Sequence, residues 1–391
     1  MAKRIGMEVS IALAEAVKQA NVDVIAAYPI TPQTHIVEHL SEVVADGDLD
    51  AEFVPVESEH SAMSASVGAS AAGARTFTAT SSQGLALMVE ILYIASALRL
   101  PVVMAMANRA LSGPISIWND HSDIMLARDT GWIQTVAENG QEVYDLIFHA
   151  YRVAEDHRVL LPIIVNMDGF TLSHVIEPIE LFEQDDVDRY LKPFEPAIRL
   201  DPKNPLTMGP VGMPEVFTEA KMAQEEAIKG SKTVIVEAWK EFGDLFGRYY
   251  HPVETYKTED AETILVTMGS IGETAITAVD TMRDKGKKVG VARIRLYRPF
   301  PQEEVVAALQ GAKRVGVLDR YPAFGSYGGP VAMEVCWAFQ NQKTRPFIYN
   351  FIAGLGGRDV SVENFEEMAS DLESLESKEL TELYQYINVR E

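Results

Sequence analysis

Ala27-Tyr28-Pro29-Ile30-Thr31-Pro32 follows an apolar run from Val22 to Ala27 and precedes a segment with apolar residues at Ile36, Val37, Leu40, Val43 and Val44. The run reads as a buried strand and the periodic segment as a helix, so the six residues form a strand-to-helix turn. Thr31 falls where an N-cap is expected. Pro32 then takes the first helical position, where its missing N–H costs nothing. A helix start at the carboxyl end of a strand gathers free N–H groups and the positive end of the helix dipole, which suits an anion. Capping alone explains the same residues, so the turn by itself leaves both readings open.

Outward from this turn the alternation continues. Met7 to Ala20 is an amphipathic helix, Phe53 to Val56 a second strand, and Ser61 to Gly73 a helix of Ala, Ser and Gly with only Met63 and Val67 bulky. Such a helix lets another backbone or a flat ligand approach closely, or simply packs tightly in a core. Thr76 to Thr80 is a strand ending in Ser81-Ser82-Gln83-Gly84, a second strand-to-helix turn, and Leu85 to Leu98 is a buried helix. Pro101 to Ala107 is uninterruptedly apolar, as in a parallel strand covered on both faces, and delivers Asn108-Arg109. Trp132 to Ala137 and Leu160 to Asn166 add strands around a helix from Gln141 to Glu155. The pattern predicts a doubly wound parallel sheet over residues 1–176, whose ligands lie beyond the carboxyl strand ends. Thr31, Glu59, Ser81 to Gly84, Arg109 and Asp168 all fall there.

Residues 177–258 are proline-rich at first and then helical, and read as a surface arm with connecting helices. A second α/β unit is expected over 259–391, with strands at Thr263 to Met268, Val289 to Arg295, Val315 to Asp319 and Pro346 to Phe351.

Composition narrows the function. Among 391 residues, 57 are acidic and 34 basic, a formal charge of -23 that repels phosphate backbones and anionic membranes. Nucleic acid and membrane are therefore not expected partners. A single cysteine, Cys336, excludes an internal disulfide and an all-cysteine iron–sulfur site within this chain. No signal peptide and no long apolar span is evident, so a cytoplasmic protein is expected. Phosphate-binding, zinc-protease and nucleophile-elbow motifs are absent, and Gly354-Leu355-Gly356-Gly357 reads as a turn. His35, Glu38 and His39 share a helix face, but without a third ligand they read as solvated, and no metal site is assigned.

Glu59 stands at the mouth of the small-residue helix. It either meets a nitrogen heterocycle lying over that helix or serves as a first-turn carboxylate paired with the cap Ser58. Arg109, after an apolar strand, suits bidentate capture of a substrate carboxylate, or else pairs with Asp120 or Asp123.

Several motifs now appear in order: Tyr28-Pro29-Ile30-Thr31-Pro32, Glu57-Ser58-Glu59, Ala107-Asn108-Arg109-Ala110-Leu111-Ser112, Ile117-Trp118-Asn119-Asp120-His121-Ser122-Asp123, Asp168-Gly169-Phe170 with Ser173-His174, Arg295-Leu296-Tyr297-Arg298-Pro299-Phe300, and Val317-Leu318-Asp319-Arg320. Over essentially its whole length the chain resembles the alpha subunit of a 2-oxoacid:ferredoxin oxidoreductase, most like the four-subunit pyruvate enzymes. The resemblance implies a pyrimidine-type thiamine diphosphate fold followed by a transketolase C-terminal-like domain. It also implies oxidative decarboxylation of a 2-oxoacid with coenzyme A and electron transfer to ferredoxin. By motif position, Glu59 is similar to the glutamate that holds the cofactor's aminopyrimidine and favours the tautomer that takes the thiazolium proton. Thr31 and Arg109 resemble the residues that receive the substrate carboxylate. Pro29, Ile30, Ser82 and Gln83 are expected beside the cofactor. The Gly-Asp-Gly stretch that holds the diphosphate is missing here, since Asp46-Gly47-Asp48 lacks its context. The family assigns it, with Mg²⁺, to the beta subunit, and the 4Fe-4S clusters to partners of beta, gamma and delta type. Arg298 and Asp319 are expected to be structural. Trp118 either shortens the substrate pocket or packs in the core, and the intact Thr31 argues against oxalate as substrate.

Overall fold

The computed structural model describes residues 3–390. The first unit runs β1 (Lys3–Glu8), α1 (Val9–Gln19), β2 (Val24–Ala27), α2 (Thr34–Ala45), β3 (Glu52–Pro55), α3 (Glu59–Ala72), β4 (Thr76–Thr80), α4 (Ser82–Ala97), β5 (Val103–Asn108), α5 (Ser122–Leu126), β6 (Ile133–Val136), α6 (Gly140–Ala154) and β7 (Ile163–Asp168). Connecting elements are β8 (Ile176–Leu181), α7 (Gln184–Tyr190) and the 33-residue α8 (Pro214–Phe246). The second unit contains β9 (Val253–Tyr256), β10 (Thr263–Thr267), α9 (Ile271–Asp284), β11 (Val289–Ile294), β12 (Leu296–Arg298), α10 (Gln302–Leu309), β13 (Arg314–Asp319), α11 (Pro330–Ala338), β14 (Phe347–Ile352), α12 (Val362–Leu375) and β15 (Tyr384–Tyr386).

The expected α/β architecture is present. Strands β3-β2-β4-β5-β7-β6 form a parallel sheet that β12 extends with an antiparallel edge. The second sheet, β15-β14-β13-β10-β11-β9, is parallel except for β9. Strand alternation shows why both faces of the first sheet are covered. Val103, Ala105 and Ala107 of β5 enter the core built with α1, α2 and α6, whereas Met104 and Met106 enter the one built with α3 and α4. That second core continues without a break into Ile264, Val266, Ala292, Val315 and Val317 of the second sheet.

Two expectations at the amino-terminal end are corrected. The first helix begins at Val9 and not at Met7, because Met7 and Glu8 belong to a strand, β1, that pairs antiparallel with β8. Thr31 is not the N-cap of α2 and Pro32 is not its first residue: the helix starts at Thr34 with Gln33 as cap, and the Thr31–Pro32 peptide is cis. The cause is Gln33. Its fully buried side chain donates to the carbonyls of Tyr28 and Ala79, at 3.0 and 2.9 Å, while its N–H bonds to Ile30 O at 2.8 Å. This closes a tight turn before the helix can begin.

The units are joined by buried charge as well as by the shared core. Asp168 at the end of β7 accepts from Arg320 at 2.9 Å, and from the backbone and hydroxyl of Ser270 at 2.9 and 2.5 Å. Although burial opposes ionisation, Arg320, His121 and Ser270 hold its carboxyl far below the usual range. Glu142 on α6 meets Arg293 at 2.7 Å and Arg295 at 2.6 Å. The Arg295-to-Phe300 motif is thus a joint between the units. Asp319 accepts from the first N–H groups of α11 and from Asn350, and Arg298 pairs with Glu334, both structural roles.

Candidate active site

The elements that end at the carboxyl edge of the first sheet bring Thr31 to Arg109 and Glu59 to Gly84 and Thr80, while Asp168 is taken up by the joint between the units. Ser58 caps α3, accepting from the Ser61 N–H at 3.2 Å, and so places Glu59 at the first helical position. Glu59 is only 7 % exposed, yet no described residue gives its carboxylate a hydrogen bond or ion pair. It lies against α4 exactly where that helix has no side chain, for a Cβ on Gly84 would sit 2.7 Å from Glu59 Oε1 and 2.3 Å from Thr80 Oγ1. Thr80 Oγ1 and Ser81 Oγ, at the end of β4, are also buried without partners among the described residues. A little-exposed carboxylate without a partner in the chain, beside orphan buried hydroxyls, is what a site keeps in order to bind a polar ligand.

Thr31 and Arg109 are in direct contact. Arg109 Nη1 donates to the Thr31 carbonyl at 2.9 Å and Nε to the Ser116 carbonyl at 2.8 Å. The expected alternative, an Arg109 ion pair with Asp120 or Asp123, is not formed; only its backbone N–H reaches Asp123, at 2.8 Å. Burial lowers the guanidinium's affinity for its proton, opposed by the charge of Asp123. The Thr31 side chain is exposed and free among the described residues. The result is a cation without a carboxylate partner beside a free hydroxyl, an arrangement suited to an incoming carboxylate.

Pro29 is exposed and Ile30 half-buried on the same turn. Gln83 is half-buried at the start of α4, and Ser82 is fully buried with φ 48°. Ser82 spends its polar groups inside the chain: its hydroxyl bonds to Gln83 Oε1 at 2.6 Å and Ala110 O at 2.7 Å, and its N–H to Asp123 at 3.1 Å. It therefore supports the site and is not aimed into it. Gly169 lets the Asp168-Gly169-Phe170 turn lie against the opening turn, since a Cβ there would be 2.6 Å from Pro32. Trp118 is half-exposed and packs on Phe170 with ring centroids 4.8 Å apart, so core packing is not its role.

The sequence reading missed two features. Asp123 is a fully buried hub, accepting from Arg109, Ser82, Asn108 and Ile124, and burial pushes its carboxyl up to about 7. Its position inside an aspartate- and serine-rich loop gave no signal of burial. The histidines also group differently from their spacing. His35 bonds to Glu8 at 2.6 Å and His39 to Glu15 at 2.7 Å, while Glu38 is exposed. Glu8, His35 and His174 have potential ligand atoms within 4.8 Å of one another, and the two imidazoles lie tilted against each other with centroids 4.6 Å apart.

Comparison with known proteins identifies the family. Residues 15–240 match the family described as pyruvate flavodoxin/ferredoxin oxidoreductase, thiamine diphosphate-binding, and residues 261–365 match pyruvate:ferredoxin oxidoreductase core domain II. The chain is 50% identical over 365 residues to the pyruvate synthase subunit PorA of Methanothermobacter thermautotrophicus, covering 93% of this chain and 94% of that one. It is 45% identical over 366 residues to the ketoisovalerate oxidoreductase subunit VorA of Pyrococcus horikoshii, covering 93% and 92%. Among solved structures it resembles a 2-oxoglutarate:ferredoxin oxidoreductase from Magnetococcus marinus, with TM-score 0.70 and 20% identity, over 94% of this chain and 65% of that one. A split-gene transketolase shares the fold at TM-score 0.53 and 13% identity, over 94% and 97% of the two chains. No described helix is long and apolar enough to cross a membrane. On these matches and this architecture, the chain belongs to the pyruvate:ferredoxin/flavodoxin oxidoreductase family, with the family's thiamine diphosphate-binding domain first and its core domain II second.

Proposed function

We propose that this chain is the alpha-type subunit of a pyruvate:ferredoxin oxidoreductase and supplies one half of a thiamine diphosphate site completed by a beta-type partner. The observation that carries the reading is Glu59: a buried carboxylate, unpartnered among the described residues, at the mouth of a helix with little side-chain bulk. Its oxygens fit a pyrimidine ring nitrogen, and the gap left by Gly84 is the space in which the carboxylate sits. When bound, thiamine diphosphate supplies the nucleophile and electron sink that decarboxylation of a 2-oxoacid requires. Glu59 holds a proton between its oxygen and the pyrimidine nitrogen and so sets the cofactor's tautomer. Thr31 and Arg109 bind and orient the substrate carboxylate, the hydroxyl by its free O–H and the guanidinium by the N–H groups that its two carbonyl partners leave over. Pro29, Ile30 and Gln83 form the walls beside the cofactor, and Trp118 on Phe170 limits the length of the acyl group.

The sequence lacks the Gly-Asp-Gly pattern of a diphosphate site and has Cys336 as its single cysteine. The cofactor's Mg²⁺ and 4Fe-4S clusters therefore belong to beta-, gamma- or delta-type partners, which pass electrons to ferredoxin and complete acyl transfer to coenzyme A. The likeness to a ketoisovalerate enzyme subunit favours one second reading, the same chemistry on a longer 2-oxoacid. An anaerobic pull-down from the native source, assayed for coenzyme A-dependent viologen reduction, decides between them. Pyruvate is expected to be turned over fastest among pyruvate, 2-oxoisovalerate, 2-oxoglutarate and phenylglyoxylate, with no activity in the isolated chain. Preference for 2-oxoisovalerate would install the second reading, and a complex inactive on all four would overturn both.

A further inference from the structure

The substrate clamp and the cofactor-facing carboxylate sit on different elements, Arg109 after β5 and Glu59 on α3, and something must fix the distance between them. α3 is held against α4 at Gly84, where Glu59 occupies the place of a side chain. Two residues earlier in α4, the Ser82 N–H donates to Asp123 Oδ2 at 3.1 Å, and the Arg109 N–H donates to the same oxygen at 2.8 Å. The other oxygen of Asp123 is fixed by the Ile124 N–H at 2.7 Å and Asn108 Nδ2 at 3.2 Å. Among the described residues no cation pairs with Asp123, although it has no exposed surface. A carboxylate buried without a counter-ion is expensive, and here its whole coordination is spent on tying one helix start to one strand end. Asparagine, of similar size, has a single acceptor oxygen and could meet only one of these two pairs of donors. What the carboxylate adds is a second acceptor oxygen, so that Ile124 and Asn108 hold one oxygen while the other is shared, without slack, by the α4 start and Arg109.

We propose that Asp123 is the positioning residue of the reaction: through one shared oxygen it sets Arg109, and with it the substrate carboxylate, at a fixed place relative to Glu59. The inference rests on the reading of Arg109 and Glu59 given above. Asp123 touches neither substrate nor cofactor, and its effect passes through the main chain of Arg109 and Ser82.

The test is steady-state kinetics of the purified complex carrying Asp123→Asn, with Asn108→Ala as comparison. Asn keeps the shape but has one acceptor oxygen, so one pair of N–H groups loses its partner. Asn108→Ala removes a bond to Asp123 while leaving the shared oxygen intact. The Asp123→Asn complex is expected to retain thiamine diphosphate, with the KM for pyruvate raised about tenfold or more, since displacements near 1 Å in an active site cost up to about a hundredfold. Asn108→Ala is expected to lower the Tm and leave KM within about twofold of the parent. If Asp123→Asn does not assemble, Asp123→Ser, whose hydroxyl can accept one of the two N–H groups, takes its place with the same expectation. An assembled Asp123 variant with unchanged KM overturns the proposal. So does an equal KM shift in Asn108→Ala, and so does failure of both Asp123 variants to assemble, which assigns the residue to the fold alone. Arg109→Ala separates the two levels: unchanged KM there refutes the reading of the site itself, whereas raised KM there with normal KM in Asp123→Asn refutes this inference only.

Discussion

Arg109 shows how residue type and position combine. Its guanidinium is buried beside carbonyl oxygens that hold it in place but do not neutralise it. Lysine at this position keeps the charge and loses the fork. Arg109→Lys should raise the KM for the 2-oxoacid roughly thirtyfold, the equivalent of one charge-assisted hydrogen bond of about 2 kcal/mol. Steady-state kinetics of the assembled complex checks this, and a KM within about twofold of the parent would remove Arg109 from the clamp. Glu59 and Arg109 stand out in the sequence because one opens a helix and the other follows a strand end, where parallel sheets bind ligands, and Thr31 because it lies in the turn between β2 and α2. Asp123 does not. It lies 14 residues beyond Arg109 in a polar loop, and only the tertiary fold turns that loop inward to meet two backbone N–H groups.

At the scale of elements, the close approach of α3 and α4 depends on Gly84. Gly84→Ala would place a methyl group 2.7 Å from Glu59 Oε1 and 2.3 Å from Thr80 Oγ1, so Glu59 must be pushed aside. The substitution improves helix propensity by about 1 kcal/mol, so exposed helix logic predicts stabilisation. Overpacking of about 1–3 kcal/mol should win. The expected outcome is a lowered Tm together with lost activity, and a stabilised, fully active variant would show that Glu59 is not held there. The helices and parallel strands were legible from periodicity, because burial on one or both faces writes itself into the spacing of apolar residues. The start of α2 was not. Thr31 and Pro32 carry ordinary capping signals, and a buried glutamine two positions from Thr31, reaching carbonyls on β4 and in the turn itself, overrides them. Strand β1 escaped notice for a related reason: it pairs only with β8, more than 160 residues away, so its partner is invisible locally.

The whole molecule is two sheets joined by a continuous apolar core and by buried ions at the joint. Arg293 and Arg295 hold Glu142 down to about 2 against the effect of burial. Its folded value thus lies below the roughly 4.3 of an unfolded glutamate. The stability it confers is full above about pH 4 and is lost as pH falls through about 2. Thermal unfolding of the isolated chain should show Tm falling across that window, and Glu142→Gln should have a lower Tm at neutral pH and a flatter acid limb. An unchanged acid limb in the variant would place the acid sensitivity elsewhere. The number of α/β units was legible from the sequence, whereas this joint was not: the Arg295-to-Phe300 motif was visible, but its partners on α6 are brought to it only by the crossing of β12 into the first sheet. The proposal that this is one half of a shared site also belongs to this scale. The site's binding groups line an open edge with Thr31 and Trp118 exposed, and the chain has no diphosphate motif of its own.

The central claim is that Glu59 activates a cofactor shared with a partner subunit. The measurement that tests it most directly is coenzyme A-dependent viologen reduction by the anaerobically purified complex carrying Glu59→Gln, with assembly checked on the same sample. A fall of roughly 10²–10⁴-fold in kcat with the complex intact is expected, the range of a proton-transfer group in its working position. An intact complex that turns over pyruvate at the parent rate would contradict it.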